Sequence, residues 1–313
     1  MLSNSTPPAY RHRILVILAY GVIWIIWGSM FYALSIALEV FPPLLVVASR
    51  TIIAGALLLT FVKWLGHRVH LSMRHIICGG VLLFLFGSGS LALGMREMNS
   101  GVSAVTWATM PLWTVLILRI IRESSPSRRE ILGTIIGFLG IVLLYIPWKD
   151  SIDSGINIWG AICIALSAFS WAAGTVYIRK VKLTQKPLQA TALLLLAGGT
   201  ATLIVAAASG SINSINSIEL HTESLLALAY LTIFGSLLGF WAYSWLLNQT
   251  SPQRLVSYAF INPVVAVLLG WFLAGEPVSL HMLCASAFTV GGVALVVLSP
   301  MKTVPLTNKS ECS

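Results

Sequence analysis

The chain predicts an all-α membrane protein of ten transmembrane helices, arranged as two inverted five-helix repeats with both termini in the cytoplasm. Three observations predict it: a composition too apolar for a water-facing surface, ten long windows almost free of charge, and a one-sided distribution of Lys and Arg. Of 313 residues, 57% are hydrophobic and only 9% are Asp, Glu, Lys or Arg, against about 25% charged in soluble domains. The mean hydropathy is +0.89. Eleven Trp and twelve Phe exclude a disordered chain, which lacks the apolar groups to bury. The net charge of +9 does not point to nucleic acid, because the basic residues sit in short loops between apolar runs.

A hydrocarbon core of ~30 Å takes about 20 apolar residues as a helix. Windows of that order without Asp, Glu, Lys or Arg run over 14–38, 76–95, 98–118, 131–148, 154–178, 187–218, 224–253, 255–275 and 277–301, and 40–62 is interrupted only by Arg50. Inside a bilayer each span satisfies its own backbone, so helices are expected; the runs are too long, and not alternating, for barrel strands of ~10 residues. The first window follows Arg11 and Arg13 like a signal peptide, but its length and the lack of a small-residue cleavage pattern predict an uncleaved span. With ten spans, sixteen of the nineteen Lys and Arg fall on one side, in the tails, in loops 63–75, 119–130 and 179–186, and at Arg254. Arg96 and Lys149 fall opposite. Basic loops stay cytoplasmic, which sets both termini inside. The expected organisation is a tail over 1–13, a first repeat over 14–148, a periplasmic linker over 149–156, a second repeat over 157–299 and a tail over 300–313.

The halves match in order. Phe86-Gly87-Ser88 returns as Phe234-Gly235-Ser236, Trp27 as Trp171, Pro111 as Pro263, and Gly140-Ile141-Val142-Leu143 as Gly292-Val293-Ala294-Leu295. Five spans per half is an odd number, so the second copy enters the bilayer from the other face. Inverted repeats commonly build carriers with a solute site near the midplane. The chain also resembles the drug/metabolite transporter superfamily in its bacterial EamA-type branch. The resemblance rests on Trp27-Gly28-Ser29, Arg50, the Gly133/Gly137/Gly140 series, and Tyr258 through Asn262-Pro263 to Gly275-Glu276-Pro277; Glu123, and no Asn before Pro111, make the first-half copy weaker. What this resemblance implies is an inner-membrane exporter of amino acids, other metabolites or drugs.

Six residues are the candidate solute site: Trp27, Arg50, Trp107, Trp171, Tyr258 and Asn262. Arg50, seven residues from Pro43, is the one charge well inside a span. Such a charge faces a bundle interior or a wet cavity, where it neutralises a solute carboxylate, or it snorkels to the headgroups. The mid-span indoles want a partner for N–H and present faces to apolar or cationic groups. Asn262 precedes Pro263, which frees the carbonyl four residues earlier and bends the helix; Pro111 and Pro263 are the candidate hinges. Mid-span Ser29, Ser88, Ser90, Thr106, Thr109, Ser167, Ser170 and Ser236 serve either the cavity or helix contacts. Gly133, Gly137, Gly140, Ala287 and Gly291 form small-residue faces for packing within the chain or across a homodimer.

The remaining residue types exclude other classes. No Asp or Glu lies within a span, so no buried carboxylate relays protons. The six His lie in tails, loops or span ends without metal spacing, and there is no P-loop. Cys78, Cys163, Cys284 and Cys312 form no CxxC pair. No catalytic residue, metal or cofactor is expected, and the partners are a small solute and the bilayer. The expected function is export of amino acids or related amphiphiles by alternating access; efflux of drugs, and a sensor that binds without transport, are the alternatives.

Overall fold

The computed structural model describes residues 9–66, 71–122, 127–146, 157–183, 186–213, 221–249, 255 and 258–297. Glu123, Arg254, the 149–156 linker and the tail over 300–313 lie outside these residues, as does most of the first tail. Among the described residues the chain makes ten helical segments. They are α1 (Ala9–Val40), α2 (Pro43–Trp64), α3 (Met73–Met95), α4 (Ser100–Ile120) and α5 (Arg128–Tyr145), then α6 (Ile158–Lys180), α7 (Pro187–Ala208), α8 (222–249), α9 (Tyr258–Ala274) and α10 (Leu280–Val297). Seven of them, all but α5, α9 and α10, are long and apolar enough to cross a membrane. α5 starts on Arg128, Arg129 and Glu130, and α9 has only 17 residues.

The ends follow local chemistry. α2 and α7 start on Pro43 and Pro187, where the absent N–H is no loss. α5 opens with a capping box: Ser127 Oγ accepts from Glu130 N, and the Glu130 carboxylate accepts from Ser127 N. α6 opens on Asn157, whose Oδ1 accepts from Trp159 N and Gly160 N.

Three helix pairs pack most extensively, α5 on α10, α3 on α6 and α2 on α7. Glycines bring the backbones together: a Cβ on Gly292 of α10 would lie 2.3 Å from Gly137 N and 2.5 Å from Gly133 O. Gly140 meets Thr289 in the same way. Ala287 and Gly291 do not join this seam. Both are exposed, and Gly291 has nothing within 4 Å of the place of its Cβ. The seam runs through Ala285, Thr289 and Gly292, one face at i, i+4, i+7; positions 287 and 291 turn away from it.

The helix contacts also come in related sets. α1 packs on α8 and α9, and α6 packs on α3 and α4; adding five to the first member and to the second, with α10 followed by α1, converts one set into the other. α3 and α8 each carry a π-helical stretch, Val81–Gly89 and Leu231–Leu238, at the repeated Phe-Gly-Ser. α4 breaks at a turn over Ala108 and Thr109 and restarts with Pro111 in its first turn. α9 stays helical through Pro263.

Candidate functional site

Each π stretch leaves carbonyls out of the α pattern, and a residue of the other half takes one. Trp27 Nε1 of α1 donates to Gly235 O of α8 at 3.3 Å, and Ser170 Oγ of α6 donates to Leu82 O of α3 at 2.8 Å. The absence of a side chain at Gly239 and Gly87 admits the indoles: a Cβ at Gly239 would lie 2.4 Å from Trp27 Nε1, and one at Gly87 3.1 Å from Trp171 Cε3. The two indoles meet edge to face, with centroids 5.7 Å apart. Phe240, Trp107 and Tyr258 close around them at 5.0–6.2 Å. Edge-to-face pairs use the positive ring edge against the negative face.

Beside this cluster lies a small cavity of about 50 Å³, walled by α1, α2, α3, α4, α6, α8 and α9. Trp27, Arg50, Trp107, Trp171 and Asn262 line it together with Ser88, Ser167, Phe31 and Phe240. Tyr258, expected in the wall, sits one layer behind it, fully buried against Trp27.

Arg50 is the single charge among the residues of the wall. It is 2% exposed, so it does not snorkel; it turns into the bundle, and its Nη1 donates to Ser236 Oγ of α8 at 3.0 Å. Its Nε has no partner. Trp107 Nε1 donates to Ser167 Oγ at 3.1 Å, Trp171 reaches toward the hydroxyls of Tyr243 and Tyr258, and Asn262 Oδ1 is buried without a hydrogen-bond partner among the described residues. The wall thus offers a cation and an amide acceptor among aromatic rings, and no carboxylate.

The lining residues lie toward one end of the bundle. Arg50 is seven residues past the start of α2, Trp107 seven past the start of α4, and Ser167 nine past the start of α6, a depth of ~10–14 Å at the helical rise. The other end is shut. Tyr243 Oη and Thr175 Oγ1 share a hydrogen bond of 2.8 Å, the hydroxyls of Thr191 and Ser244 meet, and Phe84 and Phe240 pack with centroids 4.9 Å apart.

Glu276, which the sequence marked only as part of Gly275-Glu276-Pro277, is a structural group. Its carboxylate accepts from Ser100 N at 2.8 Å and Gly101 N at 3.1 Å, capping α4 from the end of α9. The signal available was the pair of Gly270 and Glu276: only a glycine leaves room at position 270 for that carboxylate. Phe31 and Phe240 were also missed, since a Phe in a span reads alike whether it faces lipid or a cavity.

The EamA-like transporter family matches residues 14–146 and 158–298. This chain belongs to the EamA-like transporter family. It is 35% identical over 289 residues to a protein of Escherichia coli named uncharacterized inner membrane transporter YedA, covering 90% of each chain. It is 26% identical to a chloroplastic WAT1-related protein of Arabidopsis thaliana, over 86% of this chain and 66% of that one. A solved structure titled only "Crystal structure of protein" matches with a TM-score of 0.65 at 20% identity, over 90% of this chain and 95% of that one, which bears on the fold alone. The chain is a helical membrane transporter of the drug/metabolite type.

Proposed function

We propose that this chain is a secondary carrier of the inner membrane that exports small metabolites, amino acids or related amphiphiles, by alternating access. Two five-helix halves lie inverted to one another, both termini are cytoplasmic, and Pro111 and Pro263 mark the places where α4 and α9 bend. The observation that carries the reading is the cavity between the halves, with one buried cation set among aromatic rings. A solute carboxylate pairs with Arg50, an amino group finds Asn262 Oδ1, and the apolar body lies against Trp27, Phe31, Trp107 and Phe240. The matching contacts of α1 and α6 support the inverted halves, as does the twofold match to the family.

Efflux of cationic drugs is the weaker reading. Ring faces attract cations, but an unbalanced guanidinium in the same wall repels them. With no carboxylate in the wall, transport runs down the solute gradient and does not depend on a pH gradient. The test is counterflow: proteoliposomes preloaded with an unlabelled amino acid transiently accumulate the labelled one. A solute that binds and never accumulates label identifies a sensor instead.

A further inference from the structure

We propose that Arg50 holds a small inorganic monoanion of the chloride class whenever the carried solute is absent, so that solute and anion alternate at one guanidinium. Arg50 stands 98% out of solvent contact, and its only hydrogen-bond acceptor among the described residues is the neutral Ser236 hydroxyl. Its Nε–H is buried without a partner. Removing one partner of a buried charge pair costs several kcal/mol, because the other charge is left unbalanced. A Lys or a carboxylate escapes such a cost by changing its protonation; a guanidinium does not. The counter-charge therefore comes from a ligand.

The wall selects the kind of anion. With a single cation and no second basic residue in the lining, a phosphate dianion would exchange an unbalanced positive charge for a negative one. A monoanion leaves the cavity neutral. The cavity lining is mostly apolar, with Ser88, Ser167 and Asn262 as its neutral polar side chains besides the indoles, which favours an ion that gives up its water readily. The competition between solute carboxylate and anion rests on the reading of this cavity as the solute site; the anion site itself does not.

Bromide is the probe, because it quenches indole fluorescence and Trp27, Trp107 and Trp171 line the cavity. The full-length protein in detergent micelles is titrated with bromide against gluconate at constant ionic strength. The expected result is a saturable quenching component that chloride competes away, above the linear quenching of exposed Trp64, Trp159 and Trp271. Chloride also raises the unfolding temperature over gluconate. Arg50→Gln weakens the saturable component about tenfold or more, the effect of losing a charge-assisted hydrogen bond, and leaves the linear part unchanged. Should that variant not fold, Ser236→Ala serves: Arg50 then leans on the anion alone, and stabilisation by chloride grows. Purely linear quenching with equal unfolding temperatures in both salts overturns the site, as does a Ser236→Ala protein no more sensitive to chloride than the wild type. Counterflow that persists while the anion effects are missing overturns this site alone. Anion binding without any counterflow overturns the carrier reading alone.

Discussion

Arg50 and the tryptophans around it do different work. The guanidinium supplies the only charge of the cavity wall, so Arg50→Gln is expected to cut the initial rate of counterflow for a carboxylate solute by about ten- to a hundredfold, the equivalent of a hydrogen bond to a charged group. A variant that transports at the wild-type rate removes Arg50 from the mechanism. Trp107 donates to Ser167; Trp107→Phe keeps the ring and loses that bond, and thermal unfolding is expected to report a loss of about 1 kcal/mol. At this scale the sequence was informative where chemistry is scarce. A lone Arg in a span, or an Asn beside a Pro, stands out because lipid tolerates neither easily. It was uninformative where chemistry is common. Tyr258 was indistinguishable from a wall residue, and Phe240 from a lipid-facing one, because only tertiary packing separates those roles.

Among the elements, the glycine seam and the bridged ends of α4 and α9 are the parts most open to test. Gly292 sits 2.3 Å, counted from the place of its Cβ, from the backbone of Gly137, whereas Gly291 has open space. Gly292→Ala is expected to destabilise the protein by about 1–3 kcal/mol through overpacking, and Gly291→Ala to leave the unfolding temperature within error; equal effects would mean that α5 and α10 do not pack as described. Small-residue spacing pointed to the right helices but not to the right face of α10, since Ala and Gly occur on all sides of it. Glu276 ties α9 to the first turn of α4. Glu276→Ala is expected to lower stability by about 1–2 kcal/mol, the range for a lost cap with a favourable charge at a helix N-terminus, and Glu276→Gln by less, as read from thermal unfolding. The π stretches of α3 and α8 were not legible: the repeat Phe-Gly-Ser marks their place, but the change in hydrogen bonding depends on the indole and hydroxyl that approach from α1 and α6.

For the whole molecule, the places of the ten helical segments followed from charge-free windows, because burying a charge in lipid is costly; seven of these segments are long and apolar enough to cross a membrane. The related contacts of α1 and α6 are those that two inverted halves would make, and residues from both halves of the chain line the cavity. One end of that cavity is sealed by Tyr243, Thr175, Thr191 and Ser244, while Leu34 and Met95 line it toward the other. Alternation between two such states is the central claim. Its most direct measurement places single cysteines at Leu34 and at Ser244, with Cys78, Cys163, Cys284 and Cys312 replaced, and follows labelling by a water-soluble maleimide with and without a transported solute. The account predicts opposite responses at the two positions, one gaining label as the other loses it. Parallel changes at both positions, or none during active counterflow, would contradict it.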